Sequence, residues 1–145
     1  MGIDQKAIEL RQEELEPFLI TLKELHALVV SSRSVFDLDM PETDGQLKSA
    51  IGTVMVGYFG KMKYSTLVEQ AAALTVFVAK DHAFSDGNKR TAQQIPSTMF
   101  SRWLDRYDDI KCSDAEMYDE IKGIAKGEIS QIEFAAWLEQ KIVFK

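Results

Sequence analysis

The stretch from Leu67 to Lys80 constrains the fold more than any other part of this 145-residue chain, because it is apolar nearly all round. A helix without a polar face has to be covered on every side, so it is usually central and buried. Thr66 and Glu69 form a capping-box pattern, in which two side chains satisfy the free N–H groups of a helix start. We therefore predict a buried central helix that begins after Thr66.

Apolar residues at helical spacing predict further helices around this one. The stripe over residues 15–29 indicates one amphipathic helix or a helix pair. His26 lies on or beside this stripe, and a histidine there is expected to be packed rather than catalytic. A second stripe, over residues 47–58, follows Thr43 and Gln46, which form another capping-box pattern.

The second half of the chain adds three helical candidates. Residues 88 to about 107 form the first, which Pro96 should kink or interrupt, because an interior proline costs about 3 kcal/mol. Two shorter helices are predicted after Ser113 and Ser130, each followed by a glutamate three residues on. Gly127 between them is suited to a C-terminal cap. No segment alternates for long enough to predict a convincing sheet, so the fold class is mainly α.

Length, charge and composition narrow the class of protein. The chain has the usual size of a single domain, and its net charge of -6 argues against broad nucleic-acid binding. No apolar run approaches the roughly 18 residues of a membrane helix, and the first residues lack the basic start and apolar run of a signal peptide. The single cysteine, Cys112, excludes an internal disulfide and a multi-cysteine metal site. We expect a cytoplasmic protein without a membrane partner.

The run from Asp81 to Ala92 carries the strongest indication of chemistry. Asp86, Gly87 and Asn88 have strong turn character and lie just before a predicted helix. The first N–H groups of that helix lack partners within it, and the helix dipole points its positive end at the same place. The sequence therefore predicts an anion site at the start of this helix.

Two cations occupy the first turn of the same helix. Lys89 and Arg90 are disfavoured there by about 0.3 to 1 kcal/mol each, because the dipole already makes this end positive. A bound phosphate would reverse that sign, since Arg90 could fork onto phosphate oxygens and Lys89 could add a point charge. The alternative is that both side chains bend out into water.

Asp86 and His82 add an acid and a base to this run. Asp86 suits a helix N-cap, but beside a phosphate it would hold Mg²⁺, which takes one or two carboxylates. His82 is one of only two histidines, and imidazole is the side chain best suited to accept a proton near neutral pH. A base beside a phosphate site suggests phosphoryl or nucleotidyl transfer to a hydroxyl.

These residues carry a resemblance to the Fic/Doc family. The run His82-Ala83-Phe84-Ser85-Asp86-Gly87-Asn88-Lys89-Arg90-Thr91-Ala92 is similar to the family signature, and the similarity extends from about residue 47 to residue 138. It implies a compact all-α Fic-fold helical bundle with a short β-hairpin flap. It also implies that His82 deprotonates a hydroxyl of a target protein and that Asp86 binds Mg²⁺. The anion hole for the phosphates of ATP, or of another nucleoside triphosphate, would comprise Gly87, Asn88, Lys89 and Arg90.

The flap of such a fold would dock the target chain by strand-like backbone pairing. In this sequence it corresponds to a segment of glycines, aromatics and lysines without helical period, which by itself suits a surface connection equally well. The segment comprises Gly57, Tyr58, Phe59, Gly60, Lys61, Met62, Lys63 and Tyr64.

Lys89 and Gln93 make the resemblance closest to the Doc (death-on-curing) branch. AMP-transferring members typically have glycine and a second arginine at these two positions, whereas Doc-like members resemble kinases that phosphorylate a threonine of elongation factor Tu. The implied function is such a phosphorylation of a translation factor, as the toxin of a toxin–antitoxin pair, with AMP transfer as the alternative. Gln93, Gln94 and Pro96 depart from the small and aliphatic residues usual in this helix. No inhibitory helix motif is found, which implies a separate antitoxin or no such control.

The chain outside the resemblance leaves a further choice open. Residues 1–40 are predicted to be an amphipathic helical extension, packed on the core or at a homodimer interface, and residues 41–145 the Fic/Doc core domain. This extension also supports a competing hypothesis from another class. In that hypothesis the chain is a non-catalytic assembly module that binds nucleotide without turning it over.

Overall fold

The computed structural model describes residues 5–29, 41–57, 61–80 and 87–145, with the backbone alone at residues 41–44. Six helices and two short strands make up the described chain, and a 3-10 turn over Gln12–Glu14 precedes them. In chain order they are α1 (Leu15–Val29), α2 (Pro41–Met55), α3 (Leu67–Lys80), α4 (Asn88–Trp103), β1 (Tyr107–Ile110), α5 (Asp114–Ala125), α6 (Gln131–Lys141) and β2 (Ile142–Phe144).

Helix α3 is the central helix that the sequence predicts. Ten of its 14 residues are buried, and it packs against α2, α4, α5 and α6. Its predicted capping box is present: the backbone N–H of Glu69 donates to Thr66 Oγ1 at 3.2 Å, and the N–H of Thr66 donates to Glu69 Oε1 at 3.1 Å. The burial supplies the stability and the cap fixes where the helix begins.

The capping boxes of α5 and α6 are also confirmed. Ser113 Oγ accepts from the N–H of Glu116 at 3.1 Å, and Ser130 Oγ accepts from the N–H of Glu133 at 3.1 Å. Gly127 follows α5 with a φ of 79°, as a C-terminal cap requires. The N–H of Glu128 then reaches back to the carbonyl of Gly123 at 2.8 Å, which satisfies a helix-end acceptor.

Helix α1 lies in the same core as the other helices. Its buried residues contribute to one continuous apolar cluster, and the helix packs against α2 and α4. His26 is fully buried in this face, as expected for a packed histidine. The predicted division at residue 40 and the homodimer stay predictions.

Three predictions about the helices are wrong in whole or in part. Pro96 does not interrupt α4, because that proline is buried in the packed face and tertiary contacts offset its local cost, while a kink at Pro96 stays a prediction. The helix ends at Trp103 rather than near Tyr107, since Leu104 is extended and Arg106 has a φ of 61°. Helix α2 begins at Pro41, so Thr43 lies inside it and does not mark its start.

A small antiparallel sheet was not predicted. Strand β1 pairs with β2 in a register that places Tyr107 opposite Phe144 and Ile110 opposite Ile142, with an irregularity after Tyr107. Strands of four and three residues are too short for alternation to show. The pair joins the end of α4 to the end of α6. In the described part of the chain, no helix has both the length and the apolar character needed to cross a membrane.

Two glycine substitutions should have opposite effects on stability. Gly127→Ala should lower the free energy of unfolding by about 1 kcal/mol, because a side chain strains a left-handed residue. Gly52→Ala should raise it by about 0.5 to 1 kcal/mol, because Gly52 lies inside α2 and an added Cβ meets nothing within 4 Å. Urea titrations of both variants measure this. A lower free energy of unfolding for Gly52→Ala, or an unchanged one for Gly127→Ala, would contradict the backbone conformations assigned to these two glycines.

Candidate functional site

The start of helix α4 has the conformation that an anion site needs. Gly87 precedes the helix with φ 76° and ψ 15°, a left-handed conformation that glycine adopts without strain. No side chain caps the helix at this residue, and the first turn contains no acidic residue. The positive end of the helix dipole is therefore not neutralised by a carboxylate within α4 itself.

The first turn of α4 separates a buried face from an exposed one. Thr91 and Ala92 are fully buried and hold the helix against the core. Lys89 and Arg90, the two residues before Thr91, are exposed, while Gly87 and Asn88 are half-buried. The structure thus brings these four predicted phosphate-binding residues together at one helix start, with the two cations directed to solvent.

The other predicted site residues are only partly described. His82 and Asp86 lie outside the described residues, as do Tyr58, Phe59 and Gly60 of the flap. Of the remaining flap residues, Lys63 is exposed, and its Nζ lies 5.7 Å from the ring centroid of Tyr64. Within the described ranges, no group of three or more His, Cys, Asp or Glu side chains could hold a metal ion.

Gln93 has a partner that the sequence did not indicate. Its Nε2 donates to the backbone carbonyl of Asp114 at 3.0 Å, and this hydrogen bond ties the second turn of α4 to the start of α5. No sequence pattern predicts this contact, because its two residues are 21 positions apart.

A cavity of about 630 Å³ lies between α2 and α3. Lys63 and Tyr64 of the predicted flap line this cavity. Helix α3 lines it as far as Phe77, which is less than one turn from the end of that helix. Its size falls within the usual range for small-molecule sites. Its walls include Gln46, Ser49, Thr53, Val76 and Gln131.

Cys112, between β1 and α5, shows no sign of an activated thiol. Burial raises the pKa of this half-buried thiol, and the nearby negative charge of Glu116 raises the pKa further. A raised pKa leaves less thiolate at neutral pH, and the thiolate is the reactive form. This cysteine is therefore not a candidate nucleophile.

Comparison with known families assigns the chain. The model of the Fic/DOC family matches residues 19–99, more than half of the 145 residues, and the chain belongs to this family. The matched range includes α2, α3, the start of α4 and the whole of the predicted catalytic run. Proteins of the family are typically transferases that modify other proteins with a nucleoside triphosphate. No curated protein matches the chain.

Proposed function

We propose that this protein is a Doc-like phosphotransferase, which transfers the terminal phosphate of ATP to a hydroxyl of a translation factor such as elongation factor Tu. The observation that carries the proposal is the exposed, cation-bearing start of α4 behind the left-handed Gly87. Lys89 and Arg90 lie at the positive end of a helix, where their charges are unfavourable, and a bound anion would make the same charges favourable.

The residues at this helix start fit a phosphate group. Backbone N–H groups at a helix start can donate hydrogen bonds to an anion, and the glycine lets an anion approach the backbone closely. Arg90 would bind two phosphate oxygens with its planar guanidinium, and Lys89 would supply a compact charge. Bound ATP would supply the phosphoryl group, and Asp86 would hold an Mg²⁺ ion, which would neutralise negative charge on the phosphate.

The proposed base and metal ligand come from the short connection between α3 and α4. Asp86 directly precedes Gly87, and His82 is five residues before that glycine. His82 would accept the proton of the target hydroxyl, which is a poor nucleophile while protonated. These two roles rest on the family signature and on their position in the chain.

Two positions favour phosphate transfer over AMP transfer. Lys89 is exposed in the first turn of α4. There it would fill part of the anion hole and favour binding of the nucleotide in the orientation opposite to that used for AMP transfer. Gln93 is neutral and donates to the backbone of Asp114, so this position supplies no second arginine. A separate antitoxin remains part of the same proposal.

The position of the label distinguishes the two reactions. We expect transfer to elongation factor Tu from ATP labelled at the γ phosphate, in the presence of Mg²⁺, and no transfer of label from the α phosphate. His82→Ala should abolish the transfer, because it removes the proposed base and leaves the hydroxyl a poor nucleophile. Transfer of α label alone would replace phosphorylation by AMP transfer. Nucleotide binding without transfer to any tested protein would favour the non-catalytic module.

Asp86 can be tested as a metal ligand separately from its effect on the fold, since Gly87 and not Asp86 is the N-cap of α4. Asp86→Asn keeps the size and one acceptor oxygen of the side chain but removes the negative charge that Mg²⁺ prefers. We expect the free energy of unfolding to change little and the Mg²⁺ concentration at half-maximal transfer to rise about tenfold or more. Equal dependence on Mg²⁺ in the variant and the wild type would exclude Asp86 as the metal ligand.

Arg90 should matter for nucleotide affinity and not for stability. Arg90→Ala should weaken ATP binding about tenfold, since a charge-assisted hydrogen bond is worth about 1.5 to 3 kcal/mol. The matched control is Arg102→Ala, which removes an exposed arginine at the opposite end of the same helix. Calorimetric titration with ATP and Mg²⁺ measures both. Similar affinities in the two variants would show that the nucleotide does not bind at the start of α4.

A further inference from the structure

The first described residues of the chain form an extended strap, Gln5–Leu10, which lies along the segment leading into α3. The N–H of Ala7 donates to the carbonyl of Ser65 at 3.0 Å, and the N–H of Leu67 donates to the carbonyl of Gln5 at 3.1 Å. Lys6 and Thr66 face each other in an antiparallel bridge between these bonds. The strap therefore pairs, strand-like, with the residues that immediately follow the predicted flap.

Gln70 holds the middle of the strap from inside the core. This side chain is fully buried in α3, where an amide without partners would cost free energy. Its Nε2 donates to the carbonyls of Ile8 at 2.8 Å and Val54 at 3.1 Å, and its Oε1 accepts from the N–H of Ile8 at 2.8 Å. One buried amide thus joins the strap, the end of α2 and α3.

Both ends of the strap have additional attachments. The N–H of Leu10 donates to the carbonyl of Met55, the last residue of α2, at 2.7 Å. At the other end, the side chain of Gln5 donates to the carbonyl of Trp103 and accepts from the N–H of Asp105 at 2.8 Å. The strap is thereby fixed to the ends of two helices that are not adjacent in sequence.

The strap also touches the described flap residues at Gly57. A Cβ placed on this glycine would lie 2.8 Å from Glu9 Oε2, 3.0 Å from the carbonyl oxygen of Lys61 and 3.1 Å from Met62 Sδ. The strap and both described ends of the flap therefore come close together at Gly57, where a side chain would crowd the carbonyl of Lys61. The flap residues Lys61 to Tyr64 then continue directly into the residues that pair with the strap.

We propose that the strap and its buried anchor Gln70 position Lys61–Tyr64 for target docking, so that Gln70 is a positioning residue that touches neither nucleotide nor target. The capping box satisfies the N–H groups of Thr66 and Glu69 without the strap, and only the N–H of Leu67 at the start of α3 bonds to Gln5. The docking part of the inference rests on the proposed function, whereas the restraint on Lys61–Tyr64 does not.

Hydrogen exchange tests the restraint without any activity assay. In Gln70→Met, which keeps the volume and loses all three hydrogen bonds, the amides of Ala7, Ile8 and the segment 61–67 should exchange about tenfold faster. The matched control is Thr75→Val, which removes a buried hydrogen bond to Ala71 within the same helix without touching the strap. This control should leave exchange in the segment 61–67 unchanged. An equal acceleration in both variants, or none in Gln70→Met, would overturn the proposal.

Kinetics test the docking part. With labelled ATP and elongation factor Tu, Gln70→Met should raise the KM for the protein target several-fold and leave kcat and the KM for ATP unchanged. A fall in kcat with an unchanged KM for the target would overturn the positioning role. If wild type shows no transfer, the proposed function fails, and the exchange result still decides whether the strap restrains Lys61–Tyr64.

A milder variant keeps the test usable if Gln70→Met does not fold. Gln5→Ala removes only the attachments of the strap to Trp103 and Asp105, which are partly buried or exposed. It should accelerate exchange in the same amides by a smaller factor, with no change in α5 or α6. Exchange in the segment 61–67 that is unchanged from wild type would overturn the proposal.

Discussion

Burial of α3 on all sides is the constraint on which the rest of this structure depends. A helix with almost no polar face is stable in water only if other elements cover it, and here α2, α4, α5 and α6 do so. The arrangement of those four helices follows from that need. It also fixes where α3 ends and where α4 begins.

The start of α4 combines two opposing demands. Thr91 and Ala92 pack into the core and require an orderly first turn, while Lys89 and Arg90 in the same turn repel the helix dipole. The repulsion is tolerable because both cations are exposed, where water screens them. Stability supplied by the buried face of one helix thus permits an unfavourable charge arrangement on its exposed face, which is what a phosphate site requires.

Local patterns in the sequence predicted this fold well, and long-range contacts were not predictable. The capping boxes at Thr66, Ser113 and Ser130 were found because each is complete within four residues. Pro96 was misjudged because propensity describes an isolated helix and not one packed in a core. The paired strands and the partner of Gln93 depend on which segments meet in space. Of the candidate site, the sequence located the helix start that is proposed to bind phosphate. The hydrogen-bond partners of Gln70, which are Val54 and Ile8, could not be predicted because they lie 16 and 62 positions away.

The strap has a consequence for the order in which the chain can fold. Gln5 leaves the ribosome before its side-chain partners, Trp103 and Asp105, which lie about 100 positions later in the chain. Contacts of such separation form late, because a long loop must close before they contribute any stability. During synthesis the strap can pair with Ser65 and Leu67 well before its end at Gln5 is attached to α4. The strap is the first described segment to be made, and its attachment to the end of α4 is among its last contacts to form.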